Sequence, residues 1–183
     1  ASPATRAAMA AGGARSARGD WFVIKLDDNK EGTAPSVTLV ATVNGVEQKV
    51  KVIKEVAEAL HAAHRHGLIH RDVKPGNIMV ERLPDGGWRP YVLDFGLADE
   101  IQASGSMTSG AREGTPAFMS PEQARGDVQL LDRRTDVYSL GATLYDLLCG
   151  QPPFGKGNND EILLSLLVSE PKPIRQVKRT IPS

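Results

Sequence analysis

The sequence predicts an α+β fold that is mainly α-helical and carries one small β-hairpin. Two long segments, residues 50–66 and 136–150, place apolar side chains at helical spacing. Two short β-prone runs, residues 78–80 and 91–93, lie on either side of the turn sequence Pro-Asp-Gly-Gly at residues 84–87. With 183 residues, the chain is long enough for one domain with its own hydrophobic core.

The N-terminal part of the chain is predicted to contain short strands and an irregular tail. Residues 1–19 are rich in Ala, Gly, Arg and Ser, so we expect a disordered N-terminal segment, with the domain covering residues 20–183. Residues 21–26 form a β-prone run that polar residues end. Residues 36–43 form a second such run before the turn signal Asn44-Gly45. Both runs are predicted strands.

Residues 50–66 are predicted to form an amphipathic helix. Gly67 follows at a position where helices commonly end in a left-handed residue. His61, His64 and His66 lie near this end, but no Cys or carboxylate stands at ligand spacing. We therefore interpret them as groups that suit the helix dipole and not as a metal site. The apolar face consists of Val52, Ile53, Val56, Ala59, Leu60 and Ala63.

The C-terminal half contains a long polar segment and two further predicted helices. Residues 97–117 carry few large apolar side chains and read as a surface loop. The helix over residues 136–150 ends at Gly150, and a shorter helix over residues 160–168 is followed by Pro171 and Pro173. Their apolar positions are Val137, Leu140, Gly141, Leu144, Leu147 and Leu148 in the first helix, and Ile162, Leu163, Leu166 and Leu167 in the second.

The composition argues against several kinds of partner. Lys plus Arg and Asp plus Glu each number 22, so the net charge of zero gives no reason to expect nucleic acid or an anionic membrane. No apolar run reaches the length of a membrane span, and no signal peptide is visible. The single Cys149 fits a reducing compartment, so we expect a cytoplasmic location, with any membrane anchor outside this segment. Because the chain begins with Ala, we expect a fragment or a processed product.

Residues 70–77, which we call the catalytic loop, read His-Arg-Asp-Val-Lys-Pro-Gly-Asn. Asp72 can take a proton from an attacking hydroxyl, Lys74 can neutralise a transferring anionic group, and Asn77 can hold a hard cation through its side-chain oxygen. Phosphoryl transfer needs these groups, because it depends mainly on positioning and on neutralising charge on phosphate oxygens. Residues 94–96 then read Asp-Phe-Gly, and the predicted hairpin brings Asn77 and Asp94 close together.

In this order the loop resembles the H-R-D-x-K-x-x-N loop of protein kinases, and Asp-Phe-Gly resembles their second signature. The resemblance implies that Asp72 orients or deprotonates a substrate hydroxyl and that Lys74 stabilises the γ-phosphate of ATP. It implies that Asn77 and Asp94 hold Mg²⁺, and that Lys74, Asn77, Met79 and Asp94 contact the nucleotide. The implied fold is protein-kinase-like, mainly the α-helical C-terminal lobe.

The resemblance also implies structural and regulatory roles. His70 belongs to the loop motif, Phe95 packs against the preceding helix, and Gly96 gives its turn freedom. Asp136 braces the backbone of the catalytic loop, although an Asp at a helix start also suits the dipole. Arg71 pairs with a phosphate on the segment 97–117, for which Thr108 is the first candidate site and Ser106 the second.

Residues 114–122, Gly-Thr-Pro-Ala-Phe-Met-Ser-Pro-Glu, resemble the end of the activation segment of protein kinases, where a substrate peptide docks, and we call them the docking segment. The resemblance implies that Thr115 hydrogen-bonds near Asp72 and Lys74. When Gln123 is included, the sequence of this segment is most similar to that of bacterial Ser/Thr kinases. Glu122 normally pairs with a late Arg that has no counterpart here, so we expect it to be unpaired at a cost in stability.

Parts of the kinase pattern are missing. No G-x-G-x-x-G loop and no Lys–Glu pair that would grip ATP phosphates is present. Lys25 imitates that lysine, but it lies too close to Asp72, and residues 21–26 fit the fifth strand and hinge instead. We therefore expect a partial kinase domain over residues 20–183 that lacks most of the N-terminal β-lobe and is weakly active or inactive alone.

The sequence leaves three functions open. The first is an ATP- and Mg²⁺-dependent kinase that phosphorylates Ser or Thr in a protein substrate. The second is a pseudokinase-like binding module, which the missing N-lobe favours and the intact Asp72, Lys74, Asn77 and Asp94 oppose. The third is a small-molecule phosphotransferase, which Lys74 and the docking segment oppose.

Overall fold

A computed structural model of the chain describes residues 14–15, 21–22, 37–95, 115–155 and 157–181. The strands are β1 (Ala14–Arg15), β2 (Trp21–Phe22), β3 (Val37–Leu39), β4 (Ile78–Arg82) and β5 (Trp88–Val92). The α-helices are α1 (Val46–Arg65), α2 (Pro121–Arg125), α3 (Arg133–Cys149), α4 (Asn159–Val168) and α5 (Ile174–Val177). Short 3₁₀ turns cover Val40–Thr42, Pro75–Asn77, Pro116–Phe118 and Val128–Leu130.

The predicted hairpin is present as β4 and β5, which pair antiparallel from Ile78 opposite Val92 to Arg82 opposite Trp88. Strand β3 pairs antiparallel with the other edge of β4, so the sheet has the order β3-β4-β5. β1 and β2 form a separate antiparallel pair. The three-stranded sheet holds both ends of the hairpin at the end of the catalytic loop, so residues 77 and 93 become neighbours.

The main core lies between α1, the three-stranded sheet and α3. Helix α1 turns one apolar stripe inward, which is the arrangement that its spacing predicts. Gly67 has φ 76°, so it ends this helix in the left-handed conformation that glycine adopts without steric cost. The core contains Val40, Val43, Val52, Ile53, Val56, Leu60, Val73, Ile78, Val80, Val92 and Leu147. A second cluster joins α2 to α4 through Met119, Ala124, Leu163 and Leu166.

Several predictions for the apolar faces were wrong in detail. Helix α1 begins at Val46, four positions before the predicted start, and Ala59 on its expected inner face is exposed. In α3, Val137 is 64% exposed and Gly141 is exposed, whereas the side chains of Thr135, Asp136, Ser139 and Thr143 are buried. The inner face of α3 is therefore partly polar. In α4, Leu167 is 38% exposed.

The run at residues 36–43 is not one strand. Only Val37–Leu39 is strand, and the chain then turns through Val40–Thr42. Val40 and Val43 are both buried, three positions apart, so a helical turn brings both to the core where a strand would point them to opposite faces. Asn44-Gly45 consequently leads into α1 and does not close a hairpin.

The predictions for the N-terminal region are tested only at four residues. Trp21–Phe22 of the predicted strand 21–26 are strand, paired with Ala14–Arg15 from the segment expected to be disordered. The rest of residues 1–26, including Lys25, lies outside the described residues. In the part of the chain that the structure describes, no helix combines the length and apolar character needed to cross a membrane.

Candidate active site

The catalytic loop connects α1 to β4 and is anchored at its middle by Val73, which is 1% exposed. Arg71 has φ 67°, a left-handed conformation that costs a residue with a Cβ about 1–2 kcal/mol. The loop ends in the 3₁₀ turn Pro75–Asn77, where the proline occupies the start and needs no hydrogen-bond partner for its nitrogen. A strained backbone of this kind persists only when contacts around it hold it in place.

Asp72, Lys74 and Asn77 form one hydrogen-bonded cluster. Lys74 Nζ lies 2.6 Å from Asp72 Oδ2, and Asn77 Nδ2 donates to Asp72 Oδ2 at 3.0 Å and to the Asp72 carbonyl oxygen at 2.8 Å. Among the described residues, Asp72 Oδ1 receives no hydrogen bond, so this oxygen can accept a proton from a hydroxyl. The cluster is only partly buried: the side chains of Lys74 and Asp72 are 25% and 34% exposed.

Asn77 and Asp94 offer oxygen atoms that fit a divalent cation. Asn77 uses its Nδ2 on Asp72, and within the described part of the chain its Oδ1 accepts no hydrogen bond. Its backbone carbonyl accepts from Leu93 N at 2.9 Å, which places the residue before Asp94 beside Asn77. Asp94 is exposed and has φ 61°. Amide and carboxylate oxygens are the ligands that Mg²⁺ prefers, so the donor set matches the metal that the sequence implies.

Asp136 on α3 holds the backbone of the catalytic loop. It is fully buried, and its Oδ1 accepts from Arg71 N at 2.8 Å while its Oδ2 accepts from His70 N at 2.9 Å. The same Oδ2 also accepts at 2.6 Å from Nε2 of His64, which lies in the last turn of α1. These hydrogen bonds are the contacts that a bracing role requires. They also explain why α3 buries a carboxylate, because buried charge needs several donors.

His70 ties the loop to the end of the hairpin. It is 1% exposed, and its Nε2 lies 2.8 Å from the Leu93 carbonyl oxygen. A carbonyl only accepts, so Nε2 carries the proton, and Nδ1 is then free to accept the amide of Asp72 at 3.3 Å. The Phe95 ring lies 4.6 Å from the His70 ring, centroid to centroid, and packs against the main core. His70 therefore links Asp72 to the residues on either side of Asp94.

Glu122 has a hydrogen-bond partner, so the expectation that it is unpaired was wrong. Thr135, which is fully buried at the start of α3, donates its hydroxyl to Glu122 Oε1 at 2.8 Å. Burial acts to raise the pKa of Glu122. Hydrogen bonds from its own backbone amide and from the Thr135 and Ser120 hydroxyls outweigh this effect, and the positive charge of Arg134 lowers the pKa further. The pKa of Glu122 is consequently lowered.

The contact expected of Thr115 is not present. Thr115 is exposed, and its side chain hydrogen-bonds neither Asp72 nor Lys74. Met79 is half-buried on β4, opposite Leu39 and Tyr91. Gly96, Ser106 and Thr108 lie outside the described residues. No group of three or more His, Cys, Asp or Glu side chains that could hold a metal exists among residues 37–95, 115–155 and 157–181. This absence does not bear on the pair of Asn77 and Asp94, because asparagine is not one of those four residue types.

Three residues at the site were missed by reasoning from the sequence: His64, Gln123 and Thr135. Gln123 Nε2 donates to the Arg71 carbonyl oxygen at 2.6 Å. Its position three residues after Ser120 is a capping-box spacing that the sequence shows. The sequence around His64 suggests only a metal ligand or a group that suits the helix dipole, and nothing local indicates its carboxylate partner. Thr135 has no local signal either.

Comparison with known proteins identifies similar sequences. Residues 36–180 match the family model described as the protein kinase domain. The chain is 45% identical over 118 residues to the DNA damage-responsive serine/threonine-protein kinase RqkA of Deinococcus radiodurans, covering 64% of this chain and 17% of that protein. It is 46% identical over 109 residues to the serine/threonine-protein kinase PknB of Mycobacterium leprae, covering 59% and 17%. With PkaA of Streptomyces coelicolor it shares 39% identity over 118 residues, covering 64% and 21%.

Proposed function

The chain belongs to the protein kinase family, and on that premise we propose that it carries the catalytic loop of a serine/threonine protein kinase. The proposed reaction transfers the γ-phosphate of ATP to a Ser or Thr hydroxyl of a protein substrate. The observation that carries the proposal is the joined cluster of Asp72, Lys74 and Asn77. The matched region spans 17–21% of the length of these relatives, so the activity proposed is that of the full-length protein.

Asp72 is proposed to act on the acceptor hydroxyl. Its Oδ2 is held by Lys74 and Asn77, which fixes the carboxylate and leaves Oδ1 to accept the proton as the hydroxyl attacks phosphorus. A positioned base within hydrogen-bond reach contributes about 10²–10⁴-fold to such a step. Lys74 keeps two further N–H donors for phosphate oxygens, since an ammonium carries three donors and one is directed to Asp72.

Protein kinases use ATP and Mg²⁺, and we propose the same cofactors here. Asn77 Oδ1 and the Asp94 carboxylate would hold the metal, which neutralises charge on the phosphates when bound. Asp94 follows the Leu93–Asn77 backbone hydrogen bond directly, so the two ligands are supplied by neighbouring backbone segments. The role proposed for Met79 at the nucleotide follows from the family alone.

Other proposals rest on the family and on chemistry. Thr108 and Ser106 remain candidate phosphorylation sites, with Arg71 as their partner. Consumption of ATP and the free thiol of Cys149 support a cytoplasmic location for this segment. A binding module without chemistry is not favoured, because it needs neither the joined Asp72 cluster nor the exposed carboxylate of Asp94 beside Asn77. The sequence lacks the glycine-rich loop and phosphate-gripping lysine, so we expect little activity from this chain alone.

The test is the replacement Asp72→Asn in the full-length protein, with Asp160→Asn on the exposed start of α4 as the matched control. We expect kcat for a Ser/Thr peptide to fall roughly 10²–10⁴-fold in the first and to stay near the parental value in the second. Phosphoryl transfer by Asp72→Asn at the parental rate would refute the role of Asp72.

A second measurement addresses the cofactors. A thermal melt of the chain with and without Mg·ATP should show stabilisation that Asp94→Ala removes, because ligand bound only to the folded state raises its apparent stability. An equal rise in both forms would place the metal away from Asp94.

A further inference from the structure

The side chain of Gln123 joins two parts of the site that are far apart in sequence. Its Oε1 accepts from Ser120 N at 3.0 Å, which forms half of the capping box at the start of α2. Its Nε2 donates to the carbonyl oxygen of Arg71 at 2.6 Å, across 52 positions of sequence. The docking segment and the catalytic loop are therefore connected by one amide group.

Chemistry fixes the orientation of this amide. Rotating it by half a turn would place an N–H group against the N–H of Ser120 and an oxygen against the Arg71 carbonyl, and both contacts would be repulsive. A capping box by itself needs only an acceptor at this position, which is why Glu serves as well as Gln. The donation to Arg71 is an additional function that only the amide supplies.

The bond falls on the residue of the loop that has the left-handed backbone conformation. Arg71 has φ 67°, and Asp136 Oδ1 already accepts its N–H at 2.8 Å. Gln123 holds the carbonyl of the same residue. That carbonyl belongs to the peptide bond between Arg71 and Asp72, so Gln123 restrains the unit from which the Asp72 side chain projects.

We propose that Gln123 is a positioning residue that fixes Asp72 for phosphoryl transfer from the side of the docking segment. The proposal rests on the proposed function for its effect on rate, but the restraint on the loop backbone stands independently of any activity. Gln123 touches no reacting atom in this arrangement. It acts through the Arg71–Asp72 peptide.

Two single substitutions test the hydrogen bond from Gln123 to Arg71 in the full-length protein. Gln123→Glu keeps an acceptor for Ser120 N but sets a carboxylate oxygen against the Arg71 carbonyl, so the capping box stays and the hydrogen bond to the loop is lost. Gln129→Glu is the control, because it makes the same change at a glutamine that is exposed in the 3₁₀ turn Val128–Leu130. If Gln123→Glu gives no cooperative melt, Gln123→Met, which loses both hydrogen bonds of the amide, replaces it, with Gln129→Met as its control.

The first readout separates kcat from KM. We expect Gln123→Glu to lower kcat roughly tenfold, the effect of one lost hydrogen bond, with KM for the peptide nearly unchanged. Gln129→Glu should stay within about twofold of the parent, because the hydrogen bond to the loop is unchanged. An equal fall of kcat in both variants, or a rise in KM alone in Gln123→Glu, would show that the bond to Arg71 does not position Asp72 and would overturn the proposal.

The second readout is hydrogen–deuterium exchange of the peptide covering residues 70–74, which needs no catalysis. Exchange should rise in Gln123→Glu and match the parent in Gln129→Glu. Unchanged exchange in Gln123→Glu would overturn the proposal. If the full-length parent transfers no phosphate, the proposed function fails while this comparison still decides whether Gln123 restrains the loop.

Discussion

Removal of the Asp136 carboxylate should release the catalytic loop. Asp136 is fully buried and accepts the backbone N–H groups of Arg71 and His70 and the Nε2–H of His64. In Asp136→Ala all three donors lose their acceptor. In Asp136→Asn one oxygen remains, so either the His70 or the Arg71 amide faces the new NH₂ group.

The magnitude follows from the number of orphaned donors. A buried N–H left without an acceptor costs about 1–3 kcal/mol, so the two backbone amides together cost roughly 2–6 kcal/mol in Asp136→Ala. Asp136→Asn should cost about half of that, since one amide keeps its partner. Domains are stable by only about 5–15 kcal/mol, so the alanine variant removes a large part of the total.

Urea unfolding of the full-length protein measures the loss of stability, and kcat for a Ser/Thr peptide measures the effect on the reaction. Asp132→Ala is the control, because Asp132 caps the same helix by accepting from Arg134 N and makes no contact with the loop. We expect the control to lose about 1 kcal/mol of stability, the usual value of a helix cap, and to keep its kcat.

Two results would refute this reasoning. If Asp136→Ala unfolds at the same urea concentration as Asp132→Ala, the loop amides do not depend on the carboxylate. If Asp136→Asn is destabilised as expected yet keeps the parental kcat, the loop does not need Asp136 to place Asp72 for the reaction.

Three further changes test the packing, the loop entry and the pH response. Leu163→Ala should cost about 2–5 kcal/mol because Leu163 is 6% exposed in the second core cluster, whereas Leu164→Ala, at 63% exposed on the same helix, should leave the urea midpoint nearly unchanged. Gly67→Ala should cost about 1–2 kcal/mol because φ is 76°, and Gly67→Asn should cost less; equal midpoints would show that the turn relaxes. The folded-state pKa of Glu122 lies below its ordinary value of 4.5, so its ionised form stabilises the fold above that pH, and this contribution is lost as the pH falls through the lowered pKa. Glu122→Gln should therefore flatten the fall in melting temperature between about pH 6 and pH 3, and a curve as steep as the parent's would contradict the assignment.

Sequence reasoning succeeded where the signal is local. The period of α1, the left-handed end at Gly67 and the hairpin from β4 to β5 depend on neighbouring residues, and the structure contains all three. The chemical groups of the catalytic loop are close in sequence, so their proximity in the structure could be predicted without knowledge of the tertiary fold. Asp72, Lys74 and Asn77 lie within six positions of one another and form one cluster.

The sequence by itself determined the helical and hairpin elements and the set of groups available for phosphoryl transfer. The tertiary structure alone decided which partners hold those groups. Asp136 contacts a loop 65 positions away, Gln123 contacts Arg71 across 52 positions, and Glu122, which lacks the late Arg of the family, accepts a hydrogen bond from Thr135. Spacing predicted an apolar inner face for α3, but the loop packed against that face presents backbone N–H groups. Buried N–H groups require acceptors, so Asp136 lies on the face that periodicity assigned to apolar residues. Thr143 and Thr135 lie on the same face and donate to the Val73 carbonyl and to Glu122.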